Sequence, residues 1–329
     1  MGYKVAIVGA TGAVGKEIVR LLEQRRFPVS SLRCFGSERS AGKTISFQDT
    51  SIYMETLKEE SLDSFDFVFF SAGSSVSKQY VPLARKNSIV IDNSSAFRKD
   101  PSVPLVIPEV NPHAIQKHDQ LIANPNCATI IMLMALYPLH QKAKLKRVVV
   151  STYQAASGAG MRAMEDLQQE TLAYLQGSTY ERQVIPHPYA FNLFLHNSPL
   201  QEDYTEEELK LEFETRKILE DETIKVAATC VRVPVLRSHA ESINAEFRCP
   251  ISKEEAYEAL FKAAGVTIFE DRSSHLFPMP IEATRRNEVL CGRIREDRSQ
   301  KNTLDLWVVG DQLLKGAALN AVQIAEALL

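Results

Sequence analysis

Cys127 stands at a border in the chain, where the turn Asn124-Pro125-Asn126 gives way to the apolar run Ala128–Leu139, "ATIIMLMALYPL". Two readings fit that position. Cysteine is a small hydrophobe, and this one could simply open a core helix. The other reading is chemical: Asn126 is a favoured N-cap type, so Cys127 would fall in a first turn. There, unpaired N–H groups and the helix dipole stabilise a thiolate. A thiolate is a soft nucleophile and a good leaving group, the combination that acyl transfer through a thioester requires.

Other residues bear on the choice. Arg232 lies between Val231 and Val233 on an otherwise apolar strand, "CVRVPVL". It needs an anionic partner, either an internal carboxylate or a ligand carboxylate gripped by its planar fork. His239, seven positions later in "VLRSHAES", reads as part of a connection between strands, where a histidine is ordinarily at the surface. Its nearness to Arg232 makes it a catalytic candidate. Glu207 and Lys210, three apart in "TEEELK", share a helix face and by spacing alone are a solvated ion pair. Arg98 in "AFRKDPSVP" is ambiguous, and Cys34, Cys230, Cys249 and Cys291 read as packing residues in strands.

The elements that must position these groups fall into two sets. "YKVAIV" at 3–8 is a buried strand, followed by a glycine turn and the helical spacing of Val14, Ile18, Leu21 and Leu22. "SLRCFGS", "FDFVFFSAG", "SIVIDNSS" and "DQLIANPN" continue as strands, with "SVSKQYVPLARKN" helix-like between two of them. Alternating strands and helices predict a Rossmann-type, doubly wound parallel sheet. After about residue 130 the strands lengthen ("KRVVVSTYQ", "IKVAATCVRVPVL", "SINAEFRCP", "EVLCGRIRED", "TLDLWVVG"), with the polar run 295–303 as a hairpin turn. The fold class expected is therefore α/β, with a mixed α+β second domain. Its boundaries are set at 1–127 for the first domain, 128–310 for the second, and 311–329 for an amphipathic helix that returns to complete the first.

Bulk properties narrow the classes. With 329 residues there is length for two cores, and a net charge of −3 gives no electrostatic case for nucleic acid or an anionic membrane. Five scattered cysteines without a CxxC pair suggest neither zinc nor a disulfide framework, so no metal is expected and a reducing compartment fits. The longest apolar run is about half the ~20 residues of a membrane span. The start "MGYKVAIVGATG" carries no leader pattern, and a cytoplasmic location is the expectation.

Gly9-Ala-Thr11-Gly12-Ala13-Val14-Gly15 follows the first strand and opens a helix. Glycines let the backbone approach a pyrophosphate, and the helix start offers N–H donors and partial positive charge. An NAD site usually ends its second strand with an acid for the ribose hydroxyl. Here the segment reads Phe35-Gly-Ser-Glu38-Arg39-Ser40-Ala-Gly-Lys43, whose Arg39, Ser40 and Lys43 suit a 2′-phosphate, with Glu38 arguing the other way. NADP is the cofactor favoured.

Taken in order, "VAIVGATGAVG", "SERSAGK", "NPNCAT", "STYQAASGAG", "CVRVPVLRSHAES" and "DQLLKGAALNAVQIAE" resemble the aspartate-semialdehyde dehydrogenases of bacterial type, from residue 4 to the C-terminus. The resemblance implies NADP-dependent, reversible reductive dephosphorylation of L-aspartyl-4-phosphate to L-aspartate 4-semialdehyde, on the route to lysine, threonine and methionine. It implies Cys127 as the nucleophile, His239 as the acid/base and Gln154 as the side chain that positions the acyl group. By the same resemblance, Arg232 clamps the α-carboxylate and Glu207 meets the amino group. Arg98 and Lys210 hold phosphate, with Asn126 in the same pocket. Thr11, Gly12, Ala13, Val14, Arg39, Ser40, Ser157, Gly158 and Gln312 are implied cofactor contacts, beside Gly9 of the glycine turn. Glu38 stands where a neutral residue is expected, and Gln312 where asparagine is common. A homodimer formed through the second domain is implied as well.

Rival readings are an N-acetyl-glutamyl-phosphate reductase, a glyceraldehyde-phosphate dehydrogenase and a non-catalytic NADP-binding regulator. The first differs around its cysteine and has no use for an amine contact at Glu207. The second needs another cysteine motif and usually a strand-two acid. The third would have no reason to keep Cys127, Gln154, Arg232 and His239 together.

Overall fold

The computed structural model describes residues 2–329, and the chain divides into two compact units, Met1–Asn126 with Ala317–Leu329, and Cys127–Gly316. The first unit contains β1 (Tyr3–Val8), α1 (Ala13–Gln24), β2 (Val29–Gly36), β3 (Thr44–Phe47), β4 (Thr50–Thr56), β5 (Phe67–Phe70), α2 (Ser74–Ala84), β6 (Ile89–Asp92) and β7 (Leu121–Ala123). They form one sheet in the order β3-β4-β2-β1-β5-β6-β7. All neighbours are parallel except the β3–β4 hairpin at the edge. Val5–Val8 and Phe67–Phe70 are wholly buried, because a parallel sheet is covered on both faces. The parallel α/β expectation holds, with the antiparallel β3 edge added to it.

The second unit contains α3 (Cys127–Ala143), β8 (Leu145–Gln154), α4 (Met161–Leu175), β9 (Phe194–Leu195), β10 (Leu200–Gln201), β11 (Tyr204–Thr205), α5 (Glu206–Leu219), β12 (Lys225–Arg232), β13 (His239–Phe247), α6 (Lys253–Phe261), β14 (Val266–Ile268), α7 (Pro280–Ala283), β15 (Val289–Glu296) and β16 (Thr303–Gly310). Its mixed sheet runs β14-β15-β16-β13-β8-β12-β9. Residues 297–302 turn β15 back antiparallel to β16, as the polar run led us to expect. α3 is almost wholly buried and packs against β8, β13, β15 and β16. No helix among the described residues is long and apolar enough to cross a membrane.

Three expectations are corrected. His239 is not in a loop: it is the first residue of β13 and fully buried, since Arg237 and Ser238 complete the turn before it. Cys249 lies two residues past the end of β13 and is exposed. The C-terminal segment is not one amphipathic helix over 311–329. It makes a π-helical turn at Leu314–Ala318 and then α8 (Leu319–Glu326), and it is buried on nearly every side through Val322. α8 belongs to the first unit, where Glu326 pairs with both ends of the Arg25 guanidinium at 2.7 Å. Asn320 there donates to Asn124 Oδ1 at 2.7 Å and to the Val106 carbonyl at 2.9 Å.

Candidate active site

In the first unit, the glycine turn sits where the chain's strand order reverses, between β1 and β5, the place where open α/β sheets take their ligands. Gly9 has φ +92°, and a side chain there would strike the Ser71 carbonyl just beyond β5 at 2.5 Å. A Cβ on Gly15 would meet the Gly9 carbonyl at 2.2 Å, so α1 begins flush against the turn. Gly12 is the residue before α1 and donates its N–H to Gly9 at 3.0 Å, while Thr11, Ala13 and Val14 remain partly accessible. Thr11 Oγ1 lies 3.3 Å from Ser40 Oγ, which joins the glycine turn to the short turn Glu38–Ser40 after β2. Arg39 beside it is exposed. A backbone cradle opening a helix, with a cation and a hydroxyl beside it, fits the phosphates of a dinucleotide. Arg98 follows the carboxyl end of β6, is buried, and donates to the Asn93 carbonyl at 2.9 Å; Asn126, also buried, immediately precedes α3.

The second unit gathers the other candidates. Gln154 and Arg232 are register partners at the ends of the parallel strands β8 and β12. The next residue, Ala155, donates its N–H to His239 Nδ1 at 3.0 Å, and its carbonyl accepts from Arg232 Nη1 at 3.2 Å. Gly158 closes over both: a Cβ there would lie 3.0 Å from Arg232 Nη1 and 3.1 Å from His239 Nε2. Gln154 Nε2 donates to Glu207 Oε1 at 3.0 Å, and Lys210 Nζ reaches Glu207 Oε2 at 3.0 Å. The i,i+3 pair expected on a solvated face is therefore half submerged, with the Glu207 carboxylate buried.

Cys127 is the first residue of α3, the placement that favours a thiolate. Gly316, in the π turn, packs on it so closely that a Cβ would lie 3.0 Å from Cys127 Cβ and 3.3 Å from Gln312 Cβ. Gln312 accepts from the N–H of Ser238, the residue before His239, at 2.8 Å, and its amide donates to Ser157 Oγ. One turn into α3, Ile131 presses on Gly310, the register partner of His239. Thus Cys127, Gln154, Ser157, Gly158, Arg232, His239 and Gln312 form one connected cluster, and Glu207 and Lys210 border it.

The electrostatics are those of a desolvated site. Burial first, and then the Arg232 charge, push His239 down to about 3, so the ring is neutral. With Nδ1 accepting from Ala155, its proton sits on Nε2. His239 Nε2, Arg232 Nε and Gln154 Oε1 are buried without a hydrogen-bond partner among the described residues. No carboxylate pairs with Arg232 among the described residues, where its hydrogen bonds go to Ala155 and His196, so the internal ion pair considered from sequence is not found there. Burial holds the Cys34 and Cys291 thiols up at about 12 and raises Cys230 further, which suits packing and not reaction.

Sequence reasoning missed His196, whose Nε2 lies 2.8 Å from Arg232 Nη2. β9 pairs antiparallel with β12, Phe194 opposite Arg232, and so delivers His196 to the guanidinium. A two-residue edge strand leaves no periodic signal.

The family model described as semialdehyde dehydrogenase, NAD binding domain, matches residues 4–118, and that described as semialdehyde dehydrogenase, dimerisation domain, matches residues 136–315. The aspartate-semialdehyde dehydrogenase of Synechocystis is 51% identical over 99% of this chain and 97% of its own. Aspartate-semialdehyde dehydrogenase II of Vibrio cholerae, in a crystal structure complexed with ASA, superposes with a TM-score of 0.97 at 41% identity, covering 100% of this chain and 98% of that one. The Candida albicans enzyme, solved with NADP, gives a TM-score of 0.78 at 25% identity over 100% and 98% of the two chains. By sequence across its full length and by fold, this chain belongs to the aspartate-semialdehyde dehydrogenases, a family of oxidoreductases.

Proposed function

We propose that this protein carries out the NADP-dependent interconversion of L-aspartyl-4-phosphate and L-aspartate 4-semialdehyde through a thioester on Cys127. The observation that carries the reading is the buried, unpartnered set Gln154 Oε1, Arg232 Nε and His239 Nε2, with the Glu207 carboxylate beside it. A fixed cation and a fixed anion at one site suit a zwitterionic amino-acid head, and unsatisfied buried polar atoms call for a polar ligand.

Cys127 attacks the acyl phosphate carbonyl; the C–S bond forms as the C–O bond to phosphate breaks, and phosphate leaves with the electron pair. Arg98, Lys210 and Asn126 are assigned to that phosphate. Arg232 grips the α-carboxylate and Glu207 offsets the ammonium, so the reacting carbonyl is held in place relative to the thiol. Gln154 orients the acyl group. NADPH would supply the hydride; the residues assigned to hold it are Gly9, Thr11, Gly12, Ala13, Val14, Arg39 and Ser40 of the first unit and Ser157, Gly158 and Gln312 of the second. His239 presents its Nε2 proton to the oxygen that carries the developing negative charge, and the tetrahedral adduct then releases aldehyde and thiolate. In the opposite direction the same Nε2–H would steady the oxyanion formed when the thiolate adds to the aldehyde, until hydride departs and the thioester carbonyl forms.

Arg39 and Ser40 support NADP over NAD. A homodimer is supported by the match to a dimerisation domain and by exposed apolar side chains at Tyr174, Leu175, Phe191, Leu193 and Leu195 of the second unit. The place of the step in lysine, threonine and methionine formation, and a cytoplasmic location, follow from the same reading. The test is phosphate-dependent reduction of NADP, and separately of NAD, by aspartate semialdehyde and by N-acetyl-glutamate semialdehyde. Turnover of the first aldehyde alone, with NADP, is expected; preference for the acetylated one would overturn the assignment.

A further inference from the structure

Arg232 is tied to more than Ala155. Its Nη2 meets His196 Nε2 at 2.8 Å, and a guanidinium can only donate, so His196 Nε2 is the acceptor there. The ring proton is then on Nδ1, which lies 3.1 Å from Ser198 Oγ. The Ser198 N–H also points at Nδ1, at 3.2 Å, so each ring nitrogen faces a donor; a neutral ring accepts at one only, and the shorter, charge-assisted contact from Arg232 decides which. Ser198 Oγ also accepts the N–H of Glu207, in the first turn of α5, at 3.2 Å. The Glu207 side chain returns through Gln154, the strand neighbour of Arg232. The hydrogen bonds therefore link Arg232, His196, Ser198 and Glu207 in one continuous frame.

We propose that His196 and Ser198 are positioning residues that lock Arg232 and Glu207 to each other, so that the site reads the carboxylate and the ammonium of an α-amino acid as a pair of charges at fixed separation. The proposal rests on the substrate reading above and deepens it, since neither residue is assigned to substrate. A neutral imidazole is required for the part His196 plays. Burial, and next the Arg232 charge, push His196 down to about 4; Lys210 acts the same way, while Glu207 and Glu208 oppose it. His239 is the remaining titratable group that senses it, and it too is held neutral by burial. The guanidinium thus meets an acceptor that carries no charge of its own and does not compete with a ligand carboxylate. The frame also spans two separate elements, the β9 edge and the start of α5, which would otherwise place the two charges independently. Fixing both in advance lowers the ordering cost of binding.

His196→Ala should raise the Michaelis constant for aspartate semialdehyde roughly tenfold or more, the scale of a lost hydrogen bond to a charged group, with kcat changed by less than about threefold. His196→Gln, which keeps an acceptor toward Arg232, should recover most of the loss. In the His196→Ala background, Glu207→Gln should raise that constant by a smaller factor than it does in the parent protein, because the coupling is already broken. Unchanged constants in His196→Ala, loss confined to kcat, no recovery with glutamine, or strictly multiplicative effects would each overturn the proposal. Nitrogen-15 NMR of the imidazoles in the parent protein needs no substrate. It should find the His196 proton on Nδ1; a proton on Nε2 refutes the frame whatever the activity. Failure of the parent protein to oxidise aspartate semialdehyde, by contrast, would indict the substrate reading.

Discussion

Arg232 and His239 are fastened to opposite ends of the same residue: the Ala155 carbonyl accepts a hydrogen bond from Arg232 Nη1, and the Ala155 N–H donates one to His239 Nδ1. One residue therefore sets both side chains. β8 ends at Gln154, so Ala155 is the first residue that sheet pairing leaves free, and its N–H and C=O go to side chains instead.

Gly158 lies within contact of both side chains, so a single methyl there tests the arrangement. Gly158→Ala should lower kcat/KM for aspartate semialdehyde by about tenfold or more, through displacement of Arg232 and His239 by a few tenths of an ångström. Its thermal unfolding should shift little, since the methyl crowds the site and not the core. Steady-state kinetics with a thermal melt check this, and parent-like kinetics would show that the two side chains tolerate the shift.

Arg232→Lys keeps the charge but loses the fork, and should not rescue binding. Glu207→Gln should raise the Michaelis constant for aspartate semialdehyde far more than for an aldehyde lacking the amine. Both substrates are measured with both variants; equal effects of Glu207→Gln would remove Glu207 from the amine site.

At the end of β2, Arg39→Ala should weaken the preference for NADP over NAD by about 1–3 kcal/mol, the worth of a charge-assisted hydrogen bond. The ratio of kcat/KM for the two cofactors gives the answer directly. A parent protein equally efficient with both would mean that Glu38, and not Arg39, governs the site.

His239 leaves a mark on acid stability. Its folded-state value near 3 lies below the ordinary 6.5, so as pH falls through that window the unfolded chain binds a proton that the folded ring refuses. Stability is therefore lost from about pH 6.5 downward. His196 and His140, both lowered chiefly by burial, add to the same slope. His239→Gln should show a shallower fall of unfolding free energy between neutral pH and pH 4 than the parent protein. Parallel slopes in urea titrations would mean that His239 is not held neutral.

How far the sequence reveals all this depends on whether a signal is local. The glycine turn and the continuous run Phe67–Phe70 are legible because their chemistry lies in consecutive residues. The β3–β4 hairpin escaped because "TISFQDTSIYMET" carries no Asn-Gly or Gly-rich turn; Gln48 and Asp49 take the positive φ angles themselves. His239 looked like a loop residue because Ser238 and Arg237 resemble turn chemistry, yet pairing with Gly310 draws it into β13. Glu207 and Lys210 looked solvated because helical spacing gives a face but not what covers it. His196 was invisible for the plainest reason: its partner is 36 positions away and the strand that brings it there is two residues long.

The central claim is that Cys127 carries the acyl group. Mixing the protein with aspartate semialdehyde and NADP in the absence of phosphate should give a rapid burst of about one reduced cofactor per site, with Cys127 acylated as a thioester that added phosphate discharges. Peptide mass analysis after acid quench should find the aspartyl adduct on Cys127, and Cys127→Ser should show neither burst nor adduct while still binding NADP. An adduct on another residue, or a Cys127→Ser variant that turns over at the parent rate, would contradict the account.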